Sequence, residues 1–429
     1  MERKLLKRLV AWKDSKNRAP LLLYGARQVG KTYLALDFGK RYYKNCVYFN
    51  LEDSFEISSI FERDFDPERI VRELSVKSGQ NIFKNDTLII LDEIQSCERA
   101  LTSLKYFCEK SPEYHIIAAG SLLGVALNRE KYSFPVGKVE ILTLYPLDFE
   151  EFLHATGNID MSVLIREKYS ENSEFSLHKT AMDLYKKYLI VGGMPRAVLE
   201  YIEKQDYNYI IASQKNINDS YLADMAKYAT PHETTKIMAA FNSIPAQLAK
   251  DNRKFQYKVI KSGARSYDYE TPLDWLKSSG IIIKCVKVNE AKLPLLAFVD
   301  NASFKVYMLD PGLLNSKLAI PPSIILSDNP SFNNFKGAIT ENYVASALLN
   351  SGNIPYYWES QGKAEIDFVI QDKNGAIIPI EVKSANNVKA KSLSVFISKY
   401  KPDYSIRISS KNFGFENGIK SVPLYAVFC

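Results

Sequence analysis

Leu21-Leu22-Leu23-Tyr24-Gly25-Ala26-Arg27-Gln28-Val29-Gly30-Lys31-Thr32 is an apolar run that breaks into Gly-x-x-x-x-Gly-Lys-Thr, the spacing of a loop that cradles phosphate. A buried strand delivers the chain to Gly25, and glycines at both ends let the loop turn back so that successive backbone N–H groups face an anion. Lys31 places a point charge on the β- and γ-phosphates. The Thr32 hydroxyl is the expected Mg2+ ligand at the start of the next helix, whose positive dipole end also favours phosphate. The predicted binding stretch is Gly25, Ala26, Arg27, Gln28, Val29, Gly30, Lys31, Thr32 and Tyr33.

Outward from the loop, residues 33–43 have helical periodicity and lead into a short strand over 45–51, as a parallel α/β sheet requires. Asp66-Pro67 opens a predicted helix over 64–79, with proline in the first turn. Thr87-Leu-Ile-Ile-Leu-Asp92-Glu93 is an unbroken apolar run ending in two acids. Such a run suits a central parallel strand covered on both faces, and ligands sit at its carboxyl end. Asp92 is the expected second Mg2+ ligand, and Glu93 the group that polarises the attacking water. A third apolar run, Tyr114 to Ala119, ends at Gly120-Ser121. Ser121 is a candidate sensor of the γ-phosphate and equally a helix N-cap for 122–127.

Gly25-Ala-Arg-Gln-Val-Gly-Lys-Thr32, Asp92-Glu-Ile-Gln95, Gly120-Ser121, Phe134-Pro-Val-Gly-Lys138 and Tyr145-Pro-Leu-Asp-Phe-Glu-Glu-Phe-Leu153 occur in that order. Together they resemble the bacterial and archaeal AAA-family P-loop ATPases that carry a DUF4143 C-terminal region, relatives of the archaeal and STAND-type ATPases. The resemblance is tight over the first 155 residues and looser afterwards. It implies ATP as ligand, Mg2+ as cofactor and hydrolysis as the reaction. Family members often have Gly-Arg where this chain has Gly137-Lys138; Lys138 supplies charge without the bidentate fork, which leaves an arginine-finger role open. Arg129 is the nearest substitute, or else a solvated charge at a helix end.

Residues 158–230 read as helical, interrupted by Gly192-Gly193-Met194-Pro195. That break resembles the lid motif of STAND-like ATPases, which implies Pro195 near the adenine; a plain glycine-proline helix break is the other reading. Helices over 233–249 and 267–279 followed by a strand over 280–288 have the order of a winged helix, as the resemblance also implies. If that module binds DNA, the second helix enters the major groove, supported by Lys254, Lys258, Lys261 and Arg265. Its own Asp268, Glu270 and Asp274 are unfavourable against phosphate, so protein packing has equal weight.

Near the C-terminus, Phe335 to Leu348 reads as a helix with Glu341 near its start. Two runs, 364–370 and 377–383, flank Asn374-Gly375, a hairpin signal. Strand alternation puts Glu381 and Lys383 on one face, with Asp367 beside them across the hairpin. Two carboxylates and a lysine in one place suit metal-assisted phosphodiester hydrolysis: Asp367 and Glu381 as ligands of a divalent cation, Lys383 orienting water or stabilising charge. The set resembles the PD-(D/E)xK nuclease fold, and Glu341 matches its helix-borne acid. No proline precedes Asp367, and Glu365 stands in the motif instead.

The expected architecture is α/β and multidomain: a P-loop NTPase parallel-sheet core (1–157), a helical lid (158–230), a winged-helix-like domain (231–310) and a C-terminal α/β restriction-endonuclease-like domain (311–429). The expected function is an ATPase coupling nucleotide state to C-terminal modules that contact DNA. The competing class is a nucleotide-operated switch that grips a protein partner or a second copy, its nuclease-like fold inactive. A small-molecule kinase is disfavoured because no acceptor site is recognisable.

Composition agrees with these classes. The 429 residues are 46% hydrophobic and 24% charged with net charge +7, globular and mildly basic. The basic surplus concentrates over 383–429, with eight Lys/Arg against Asp403 and Glu416. Five scattered cysteines lack any Cys-x-x-Cys pair and read as reduced thiols in a cytoplasmic protein. The four histidines lie far apart and read as structural. Leu5, Leu6, Leu9, Val10 and Trp12 fall at helical spacing, so the basic N-terminus reads as a helix rather than a targeting peptide. No apolar run reaches the roughly 20 residues of a membrane span.

Overall fold

Leu21–Tyr24 (β1) lies between two parallel neighbours, His115–Gly120 (β4) and Glu140–Thr143 (β5). It sits inside a sheet because Leu21, Leu22 and Leu23 have no polar face to offer water; all three are at most 2% exposed. Beyond β4 come Thr87–Asp92 (β3) and Asn45–Asn50 (β2), giving the all-parallel order β2-β3-β4-β1-β5. Every residue of β3 and β4 is buried, as expected of strands covered on both faces. The computed structural model describes residues 1–53, 55–121, 134–250, 253–327, 329, 333–360, 364–383 and 391–429. The helix expected at 122–127 and Arg129 lie outside the described residues.

These strands belong to the first of two compact units, Glu2–Tyr145 with Ser278–Gly280. Its N-terminal helix Leu5–Lys13 buries Leu6, Leu9 and Trp12. The helix Pro67–Ser78 starts as its sequence requires: Asp66 accepts from Arg69 N–H and Pro67 takes the first turn. It stops at Gly79, whose φ of 66° is a left-handed value that glycine adopts at little cost. One sheet face carries Val47, Phe49, Ile89, Leu91 and Ile116, packed against Ile70, Leu74, Leu104 and Phe107 from the flanking helices.

The second unit holds Pro146–Lys277 and Ile281–Cys429. It begins with a helical run: Phe149–Ala155, Ile159–Glu171, His178–Val191, Pro195–Lys204, Tyr207–Tyr228 and Pro231–Leu248. Capping boxes at Asp148/Glu151 and Thr230/Glu233 set two of the starts. The short helix Tyr257–Ile260 and the helix Ser266–Ser278 follow.

The rest of this unit is built on an eight-stranded mixed sheet. Its strands are Ile282–Val288 (β6), Val299–Met308 (β7), Tyr356–Ser360 (β8), Ala364–Gln371 (β9), Ile377–Val382 (β10), Ser405–Ser409 (β11), Gly414–Glu416 (β12) and Ile419–Pro423 (β13). Their order is β12-β13-β11-β10-β9-β8-β6-β7. The hairpin signalled by Asn374-Gly375 is present, with Gln371 opposite Ile377. The strand expected to close a winged helix, β6, pairs parallel with β8. One sheet therefore runs across the division drawn at 310/311, because the apolar face of the β6–β7 hairpin is buried as a continuation of the C-terminal sheet. The helix Asn333–Asn350 packs against β6, β7 and β10, and the helix Lys391–Tyr400 buries Leu393 and Phe396 with Trp358 and Ile366.

Candidate functional site

The loop after β1 is held open by backbone conformation. Gly25, Gln28 and Gly30 have φ of 147°, 65° and 93°, and a Cβ on Gly25 would collide with the Leu144 carbonyl. The helix Lys31–Tyr42 starts directly from Gly30 without a side-chain cap, so its first N–H groups face the loop, as anion binding requires. Lys31 curls back over the loop and donates to the carbonyls of Gly25 (3.0 Å) and Ala26 (2.9 Å). Ala26 and Val29 are buried and anchor the loop, and Arg3 donates to the Val29 carbonyl at 3.0 Å. Tyr33 projects outward, 58% exposed.

The strand order brings the two halves of the site together. Thr32 Oγ1 donates to Asp92 Oδ2 at 2.6 Å, although 60 residues separate them. Tyr48, on the neighbouring strand β2, donates to the same carboxylate oxygen at 3.0 Å. Burial and the Asp92 carboxylate push the Tyr48 phenol up, so it remains a donor. The other Asp92 oxygen takes the Glu93 N–H at 3.0 Å. Glu93 itself has a left-handed φ of 50°, and Gln95 donates to its carboxylate. Ser121, 4% exposed, follows β4 directly; β4 pairs with β1 up to Tyr24↔Gly120, which puts Ser121 at the same sheet edge as Gly25.

Thr32 and Asp92 suit a hard divalent cation, since both offer oxygen and stand in contact beside an uncapped helix start. Lys138 is paired with Glu109 at 3.1 Å. Pro195 belongs to the second unit, as the first residue of the helix Pro195–Lys204. There the glycine break is gripped from three sides. Asp310, fully buried, accepts from Gly193 N–H at 2.6 Å and Leu313 N–H at 2.9 Å. Gln214 donates to the Ile190 and Val191 carbonyls, and Asn315 to that of Leu189. Burial pushes the Asp310 carboxyl up to about 6, against the pull of its backbone donors.

In the helix Ser266–Ser278, Asp268 pairs with Lys236 and Asp274 with Lys284. Lys254 pairs with Glu359. Partial neutralisation of the helix acids removes some of their repulsion toward phosphate, and Lys254 is spent on a carboxylate of the sheet.

The C-terminal residues gather on one sheet face, each with a partner. The β9–β10 ladder ends at Ile380↔Phe368, and Asp367 Oδ2 takes the Val382 N–H at 2.8 Å. Glu381, 1% exposed, stands 3.3 Å from Lys383 and 3.7 Å from Arg407 Nε. Glu341 sits in the middle of the helix Asn333–Asn350 rather than near its start. Arg253 and Tyr307 donate to Glu341, the latter at 3.2 Å, and the Lys305 ammonium lies 4.0 Å away. Burial and the nearby Asp367 push the Glu341 carboxyl up to about 7, with Lys305 and Arg253 pulling back. Among the described residues no group of three or more His, Cys, Asp or Glu side chains is gathered to hold a metal ion.

Sequence reading missed Tyr48, Lys305, Tyr307, Arg253, Asp310, Gln214 and Asn315. Each bonds to a group distant in the chain; only Tyr48, in the strand expected over 45–51, left a signal that could have found it.

Residues 17–153 match the AAA domain family, 182–323 a domain of unknown function (DUF8612) and 336–427 a domain of unknown function (DUF4143). With the strand order, the first match makes the first unit a P-loop AAA-like core. An uncharacterised protein of Methanocaldococcus jannaschii is 26% identical over 296 residues, 67% of this chain and 56% of the relative. An uncharacterised protein of Haemophilus influenzae is 28% identical over 206 residues, 45% of this chain and 43% of the relative. The alignments thus span about half the length of these relatives. The Walker-type ATPase of Pyrococcus abyssi has 15% identity and a TM-score of 0.46, with 74% of this chain and 95% of that chain covered. Among the described residues no helix is long and apolar enough to cross a membrane.

Proposed function

We propose that the chain binds and hydrolyses ATP with Mg2+ and couples nucleotide state to C-terminal modules that contact DNA. The observation that carries the ATPase reading is the 2.6 Å contact of Thr32 with Asp92 at the mouth of the loop. Mg2+ held by these two oxygens would neutralise charge between the β- and γ-phosphates. The loop N–H groups and the start of the helix Lys31–Tyr42 bind the phosphates, and Lys31 exchanges its two loop carbonyls for phosphate oxygens. Glu93, oriented by Gln95, takes the proton of the attacking water. Ser121 stands at the sheet edge where the γ-phosphate is sensed, and Pro195 is the residue through which a lid would meet the base.

The test is a single-turnover measurement. Lys31→Ala abolishes tight ATP binding, whereas Glu93→Gln binds ATP and hydrolyses it about 100-fold or more slowly. Equal hydrolysis by wild type and Glu93→Gln would remove the role given to Glu93.

A second reading, a nucleotide-operated protein-binding switch with an inactive nuclease-like fold, is supported by the ion pairs of Glu341 and Glu381 and by the Val382 N–H that Asp367 accepts. Retention on DNA separates the two. A steep loss of binding with rising salt supports phosphate contacts, and no binding at low salt supports a protein partner or a second copy. A Mg2+- or Mn2+-dependent nicking assay with Asp367→Ala as control decides cleavage.

A further inference from the structure

A divalent ion is what the nuclease-like resemblance asks of Glu341, Asp367 and Glu381, and the side chains present do not suit it. The reason lies in β7 and in the segment before the helix Tyr257–Ile260. Lys305 is 1% exposed, and its ammonium contacts Glu365 Oε1 at 2.5 Å and Glu341 Oε2 at 4.0 Å. A lysine so deeply buried stays charged only if carboxylates surround it. Desolvation works against its charge, yet Glu341, Glu365 and Asp367 outweigh it and hold the ammonium protonated.

The second cation arrives by backbone pairing. Lys254 bridges Lys305 across an antiparallel pair, and Phe255 N–H donates to the Phe304 carbonyl at 2.9 Å. This pairing fixes Arg253 against Glu341. Tyr307, on the same strand face as Lys305, gives Glu341 a further donor. Three carboxylates, Glu341, Glu365 and Asp367, thus share two covalently tethered positive charges, the charge that one divalent ion would bring. The remaining acid, Glu381, lies between Lys383 and Arg407.

We propose that Lys305, assisted by Arg253, is a built-in cation that takes the place of a divalent metal ion among Glu341, Glu365 and Asp367, so that this site is assembled without metal. Glu365, which departs from the nuclease-like motif, is the residue that receives the ammonium. The inference rests on the nuclease-like reading of the C-terminal residues, and the role of Lys305 is positioning, since it is shielded from any substrate.

The experiment uses the full chain carrying Asp92→Asn, so that the phosphate-loop site does not contribute, and reads both thermal unfolding and Mn2+ binding by electron paramagnetic resonance. In that background, millimolar Mn2+ or a chelator leaves the unfolding temperature unchanged and little Mn2+ is bound. Adding Lys305→Met lowers the unfolding temperature by several degrees; Mn2+ restores most of it and becomes bound, and a further Asp367→Asn removes both effects. Lys305→Met with Glu365→Gln, which removes the two contacting charges together, guards against a single variant that fails to fold and is expected to unfold higher than Lys305→Met alone. Mn2+ binding with Lys305 in place, abolished by Asp367→Asn, would overturn the built-in cation and leave the nuclease-like reading standing. Absence of any Mn2+ response in either Lys305→Met or the double variant would overturn both.

Discussion

Asp92 receives two hydroxyl donors on one oxygen, Thr32 and Tyr48, and the two are not equivalent. Under the proposed Mg2+ site Thr32 would turn from Asp92 to the metal, whereas Tyr48 would keep the carboxylate in place throughout. Tyr48→Phe retains the ring and loses one charge-assisted hydrogen bond, so it raises the Mg2+ concentration for half-maximal ATPase about five- to tenfold. An unchanged Mg2+ dependence would sink that role. His115 shows the opposite kind of residue, structural rather than chemical. Its ring meets the Tyr43 hydroxyl at 2.7 Å and the edge of Trp12, and burial pushes it down to about 4 with help from Arg18 and Lys13. Between about pH 6.5 and 4 the unfolded chain binds the proton that the folded chain refuses, so this stability is lost as pH falls through that window. Urea midpoints of wild type and His115→Gln measured at pH 7 and pH 4.5 check it: the advantage of wild type shrinks at the lower pH.

At the scale of elements, the break between the helices His178–Val191 and Pro195–Lys204 is a clamped joint rather than a loose one. Gly193 lies under the Leu147 carbonyl, and Gly192 under the Asp310 carboxylate, so neither tolerates a Cβ without movement. Gly193→Ala is expected to cost about 1–3 kcal/mol in urea unfolding. The clamp also titrates. Asp310 binds its proton more tightly folded than unfolded, so its contribution to stability falls as pH rises from about 4 to 6 and is constant above. The stability of wild type relative to Asp310→Asn should decline over that interval; a flat difference would mean the carboxylate is charged throughout. These elements also show what the sequence makes legible. β3 and β4 could be read as central strands because both faces are buried and the runs are continuous, and the loop because each residue in Gly25 to Thr32 has a local task. Lys305, Arg253 and Asp310 could not, because the parallel pairing of Val286 with Tyr356 and the docking of Asp310 on Gly193 join distant segments. A lone lysine on an apolar strand carries no local mark of the carboxylates that will surround it.

At the scale of the whole molecule, the proposed nucleotide coupling would have to pass between two compact units of unequal composition. One is organised around a parallel sheet, the other around helices and a mixed sheet. The chain crosses between them at Tyr145/Pro146 and again on either side of Ser278–Gly280. That short segment belongs to the phosphate-loop unit: Tyr24 donates to the Ser278 carbonyl, and a Cβ on Gly280 would stand 3.4 Å from Ala26 N. Ala26 is a loop residue, so under the proposed coupling a change in the loop would reach the segment that precedes β6. A ligand shifts a conformational equilibrium only by its differential affinity for the two states. At about 100 times its dissociation constant, an ATP analogue stabilises the unit that binds it by about 2.7 kcal/mol. Amide hydrogen exchange resolves where that energy goes. Coupling predicts slowed exchange in the helix Lys31–Tyr42 together with altered exchange in β6 and the helix Pro195–Lys204, all abolished by Lys31→Ala. Protection confined to Glu2–Tyr145 would mean that the loop binds nucleotide without informing the second unit, and the coupled ATPase would reduce to an isolated one.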